Sequence, residues 1–134
     1  MALPCKTRCA ASGTVTILDS NIVIYTLTGK IAPLPAAEYC VSVITVVECL
    51  GFRGPSPQEV HEFERFFGSV EVIQTNEVIC HFAIDLKNRY SLRTPDAIIV
   101  ASAWSAKADL LSNDLNLHRI AEVSVNPVPF LSVP

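Results

Sequence analysis

The chain has no long hydrophobic run, no paired cysteine motif and no excess of basic residues, and each absence removes a class of protein. Its longest uncharged apolar stretch, Tyr39 to Val47, is about half a bilayer span and is interrupted by Ser42 and Thr45. A membrane-crossing helix needs roughly 20 apolar residues, so no membrane span is expected. Lys6 and Arg8 near the start are not followed by the apolar stretch of a secretory signal, and a signal peptide is not expected either. Five cysteines form an odd set without a CxxC pair, which points away from zinc and from a disulfide framework. Cys40, Cys49 and Cys80 lie in apolar segments, where a free thiol behaves as a small hydrophobe, and reduced thiols in a cytoplasm are the expectation. Ten basic against thirteen acidic residues, net −3, argue against gripping many phosphates of duplex DNA. There is no internal repeat, linker or low-complexity segment.

What remains is a chain of 134 residues, the size of one domain, with half its residues hydrophobic and 17% charged. That surplus of apolar side chains exceeds what a water-exposed monomer needs and predicts self-association. Residues 1–13 read as an extension before a single domain spanning 14–134. Val15–Leu18 is a β-branched strand ending at Asp19, followed by a short helix over 22–28 stopped by Gly29. A strand over 39–43 leads into a helix over 44–52, and Ser56–Pro57 caps another with apolar Val60, Phe63, Phe66 and Phe67. A strand at 70–73, a long amphipathic helix over 75–90, a helix from Thr94 to about Lys107, and strands at 110–111 and 123–125 complete the pattern. Short apolar strands alternating with helices predict an α/β domain, a parallel sheet covered on both faces.

Four acids stand where an acid is awkward. Asp19 and Asp114 follow strands, and ligands collect beyond the carboxyl ends of strands in open parallel sheets. A helix cap or Asx turn is the ordinary alternative for each. Glu48 sits alone within Ile44–Leu50, and a carboxylate in apolar surroundings costs several kcal/mol unless paired or metal-bound. Asp96 opens a helix that is apolar all round, from Ala97 through Trp104, and such a helix belongs in the centre of a fold. Its place in the first turn gains a little from the helix dipole, but that accounts for one acid out of four. Four clustered carboxylates imply a cation, and an all-oxygen donor set suits Mg²⁺ or Mn²⁺. Phosphodiester hydrolysis is the chemistry such a site performs best.

The segments LDSN (18–21), SVITVVECLGF (42–52), TPDAIIVASA (94–103) and LLSND (110–114) resemble, in order and spacing, the four signatures of PIN-domain ribonucleases. The likeness is nearest to the VapC-type toxins of toxin–antitoxin pairs and runs from about Thr14 to Val125. It implies a three-layer α/β/α sandwich and a metal-dependent endoribonuclease that cuts single-stranded or structured RNA. A homodimer and a small antitoxin partner are also implied. On the family pattern Asp19, Glu48, Asp96 and Asp114 hold the metal directly or through water, with Asn21, Ser112 and Asn113 as supporting polar residues. Asn116 departs from it, since many relatives carry an acid there, which leaves one firm metal position and weakens a second.

Lys87, Arg89 and Arg93 are candidate RNA contacts, with a solvated helix end as the plainer reading. His61, His81 and His118 lack a nucleophile–acid pattern, and Ser-His-Asp catalysis has no support. A haloacid-dehalogenase-type phosphatase needs a second Asp two residues after the first, where Asn21 stands. The rival from another class is a non-catalytic PIN-like module that binds RNA or a protein.

Overall fold

The computed structural model describes residues 15–51 and 54–131. The expected extension 1–13, Cys5, Cys9 and the end of the 42–52 segment lie outside them. Among the described residues five strands, β1 (Val15–Leu18), β2 (Glu38–Ser42), β3 (Glu71–Ile73), β4 (Asp109–Leu111) and β5 (Val125–Asn126), form one sheet in the order β3-β2-β1-β4-β5. Every pairing is parallel. The helices are α1 (Ser20–Leu27), α2 (Val43–Leu50), α3 (Pro57–Gly68), α4 (Glu77–Tyr90) and α5 (Thr94–Ser105). The expected α/β/α architecture is therefore present, with boundaries shifted by a few residues. The last strand starts at Val125, while Val123 is buried just before it.

Alternation along β1 sorts the core into two halves. Val15 and Ile17 join a cluster with Ile79, Leu86, Ile99 and Val100 of α4 and α5. Leu18 joins the opposite cluster with Ile22 and Val23 of α1 and with Phe63 and Phe67 of α3. A sheet hydrophobic on both faces and covered on both is the parallel-sheet solution.

Local chemistry sets the helix starts. Ser56 and Glu59 form a reciprocal capping box at α3, with Pro57 at its first position. The Asn76 side chain accepts from Ile79 N at 2.9 Å, which starts α4 later than the apolar pattern suggests. Gly29, at φ 71°, supplies the left-handed residue just after α1.

The cysteines need a correction. Cys49 and Cys80 are free thiols, as expected, but Cys40 is disulfide-bonded. Spacing along a chain does not say which sulfurs meet in space, and disulfides belong to oxidising surroundings. Cytoplasmic placement therefore does not follow from the cysteines. Among the described residues no helix is long and apolar enough to cross a membrane.

Candidate metal centre

The chain winds outward from β1 through β2 to β3, then returns to place β4 on the other side of β1. This reversal leaves a crevice beyond the carboxyl ends of β1 and β4, which run side by side with Leu18 opposite Leu111. Asp19 follows the first of these strands, and Ser112, Asn113 and Asp114 follow the second. Residues remote in sequence are thus neighbours because the strand order, not the chain order, decides who faces the crevice.

Asp19 does cap α1, with Oδ1 accepting from Ser20 N at 2.8 Å. Its other oxygen does something further. Oδ2 accepts from Ser112 Oγ at 2.6 Å and from Asn21 Nδ2 at 3.3 Å. Only 4% of Asp19 is exposed. Burial pushes its carboxyl up from the ordinary value to about 6; the bonds from Ser112 and Ser20 pull it down, and the charges of Asp96 and Glu48 push it up again. Asp19 therefore feels two of the other three expected acids.

Asp96 is buried in the first turn of α5, and Arg93 Nε donates to its Oδ2 at 3.2 Å. Glu48 is half-buried on α2 and accepts from Ser20 Oγ at 2.5 Å. Ser20 Oγ also lies 3.2 Å from the buried Thr45 Oγ1. Asp114 joins from the β4 side: its N–H donates to Ser112 Oγ at 3.0 Å, the hydroxyl that itself donates to Asp19. Its Oδ1 accepts from Asn116 N and caps the short 3₁₀ turn Leu115–Leu117. Asp114 is thus linked to Asp19 through one serine.

The supporting residues divide. Ser112 ties two acids together. Asn21 donates to Asp19, and its Oδ1 accepts weakly from Asn113 N at 3.4 Å. The Asn113 side chain turns instead to the Val128 backbone, accepting from its N at 2.7 Å and donating to its O at 2.9 Å. It pins the segment after β5 and meets no acid in these contacts. Asn116 Oδ1 accepts from Arg119 Nε at 3.0 Å. Of the basic residues, Arg93 meets a site acid, Lys87 donates to Thr94 Oγ1 at 2.7 Å, and Arg89 is held by Asp85 and Glu122. His118 Nε2 lies 2.8 Å from the Ser112 carbonyl, steadying the same loop.

Ser20 and Thr45 were not legible as site residues. A serine after an aspartate at a helix start reads as capping, and only the approach of α2 to α1 gives its hydroxyl a carboxylate to hold. An apolar hollow of about 710 Å³ between α2, α3 and β3, floored by Val46, Leu50 and Phe67, contains none of the four acids.

The donor set fits a hard divalent cation in chemistry: carboxylate oxygens only, two of the acids buried, and Asp19 disfavoured as an anion by burial, to which the charges of Asp96 and Glu48 add. It is not a closed cage, for among the described residues no three His, Cys, Asp or Glu side chains form a ready-made metal cluster. Mg²⁺ keeps several waters and takes one or two carboxylates, so an open, partly water-filled arrangement suits it.

A doubly covered parallel sheet with acids at its switch point defines a class of α/β domain that binds ligands at strand ends. More narrowly, the sequence matches the PIN domain over residues 16–123, and the chain belongs to that family. No curated protein matches it. Among solved structures, it is similar to VapBC2 from Rickettsia felis bound to a DNA fragment from their promoter, at 16% identity and TM-score 0.73, covering 87% of this chain and 100% of that one. DNA-bound VapBC from Salmonella typhimurium gives 19%, TM-score 0.73, and coverage of 85% and 98%. VapBC-1 from nontypeable Haemophilus influenzae gives 23%, TM-score 0.69, and coverage of 85% and 98%. At these identities the likeness establishes the fold.

Proposed function

We propose that this PIN domain is a metal-dependent endoribonuclease, the toxin of a toxin–antitoxin pair. The observation that carries the reading is the burial of Asp19 and Asp96, 4% and 6% exposed, in one crevice with Glu48 close enough to push Asp19 up. Burying acids side by side has a cost, which the single Arg93 contact at Asp96 meets only in part, and a divalent cation from solvent is the natural compensation. Asp19, Glu48, Asp96 and Asp114 would hold Mg²⁺ or Mn²⁺ directly or through water. When bound, such an ion lowers the pKa of a water and offsets charge building on a phosphoryl group.

The chain's own residues do the positioning. Ser112 holds Asp19 and the Asp114 backbone in one frame, and Ser20 holds Glu48. Lys87, in the last turn of α4 and bonded to Thr94, and Arg93, at the head of α5, supply positive charge on the approach for an RNA backbone. Structural neighbours are themselves toxin–antitoxin complexes, which supports a small antitoxin as the partner. Exposed Val78 and Ile84 on α4 and Trp104 on α5 support a two-fold dimer.

The test is RNA cleavage by purified protein in Mn²⁺, Mg²⁺ and EDTA. Cleavage with either metal and none in EDTA is expected; cleavage undiminished by EDTA overturns the reading. The engagement of Asn116 with Arg119, where many relatives carry an acid, favours a second reading, a PIN-like module that binds RNA or a protein without cutting. RNA binding with no cleavage in any metal supports that alternative.

A further inference from the structure

Arg93 stands immediately before α5 and makes no side-chain capping bond there. Its guanidinium turns to Asp96, Nε to Oδ2 at 3.2 Å. The pair is lopsided: the Arg93 side chain is 75% exposed and that of Asp96 9%. The bond to Asp96 is the largest influence holding the Arg93 proton more tightly than usual; slight burial opposes, and the charges of Glu48 and Asp114 add to it. Arg93 thus contacts one site acid and lies within electrostatic reach of two more. An exposed ion pair between two solvated partners is worth little. Here one partner is a buried carboxylate whose own surroundings are negative, and losing its counter-charge is costly.

We infer that Arg93 is the resident counter-ion of the metal-free acid crevice: it neutralises Asp96, and yields that carboxylate to an incoming divalent cation by swinging into solvent. The inference rests on the metal-dependent reading and adds how the site is loaded. The exposed stem leaves the side chain room to move, and the contact is single, through Nε rather than a two-bonded fork. Such a contact is strong enough to hold an empty site together and weak enough to exchange. Arg93 then sets the metal concentration at which the site fills, by competing for Asp96 and by repelling a second positive charge.

Calorimetric titration with MnCl₂ decides it, on wild type, Arg93→Gln, Arg93→Lys and Arg65→Gln. The last removes the same charge from α3. Loss of one positive charge near a dication predicts about three- to tenfold tighter Mn²⁺ binding for Arg93→Gln. Arg65→Gln is expected to stay within about twofold of wild type, because Arg65 is not among the groups that act on Asp19. Arg93→Lys keeps the charge but not the Nε contact and is expected to fall between wild type and Arg93→Gln. It also reads out the contact should the Gln variant fold poorly. Equal or weaker Mn²⁺ binding in both Arg93 variants overturns the inference, as does an equal gain in Arg65→Gln. If wild type and variants alike bind no Mn²⁺, the metal-dependent reading fails and this inference with it.

Discussion

Carboxylates occupy two regions of this domain in opposite physical states. At the end of α4, Asp85 and Glu122 clasp Arg89 at 2.8 and 2.6 Å, in a patch where Arg89 and Arg119 also lie over the Tyr90 ring. The acids there are solvated and paired. Glu122 is held below its ordinary value: slight burial raises it, but bonds from Tyr90 and Arg89 outweigh that. In the crevice between β1 and β4, Asp19 is buried, faces two further acids and is pushed up to about 6. The same functional group is thus stabilised as an anion in one place and strained as an anion in the other. Counting charges does not separate the two regions; burial and the sign of the neighbours do. Perturbation of that second kind marks a site with work to do.

The sharpest way to break this contrast is to neutralise one acid in each region. Asp19→Asn is expected to lower metal-dependent RNA cleavage by about 10²–10³-fold, since an amide of equal size cannot bind a cation as a carboxylate does. Asp85→Asn in the same assay is expected to cut as wild type does. Equal losses in both variants would mean that the crevice is not special.

The pH dependence of stability carries opposite signs in the two regions. Asp19 has a folded value above its ordinary 3.8, so the folded, metal-free protein binds this proton more tightly than the unfolded chain. Its contribution to stability is therefore lost as pH rises from about 4 to about 6, a change of about 3 kcal/mol at most. Glu122, lowered, contributes stability that is present above its unfolded value and lost as pH falls. Denaturant melts in EDTA across that range, on wild type and Asp19→Asn, isolate the first effect. The Asn variant should lose the decline toward pH 6, and an unchanged decline would assign it to another group.

The smallest effect belongs to the surface network. Asp85→Asn removes one of two acids on an exposed arginine that keeps Glu122, and is expected to leave the melting temperature where it was. A clear drop would show that this patch, too, is structurally costly to disturb.

Much of this was written in the order of residues. The β-branched run Val15–Leu18 and the all-apolar helix after Asp96 predicted a buried parallel sheet, because a segment hydrophobic on every side has only the interior to go to. The four acids stood out for the same reason, each being a charge in apolar company. Turn and cap chemistry was local as well, and Ser56, Pro57 and Glu59 could be read directly.

What the chain order withheld were relations between elements. The placing of β4 beside β1 brings Ser112 against Asp19, and nothing in either segment alone announces it. The approach of α2 to α1 makes Ser20, the first residue of α1, the donor that holds Glu48. Packing turned the Asn113 side chain toward Val128, and it bonded Cys40 in a disulfide against expectation. Hydrophobic pattern depends on each residue's own transfer free energy and is legible one position at a time. Hydrogen bonds and ion pairs depend on distances of a few ångströms between remote positions, and only the folded chain sets those.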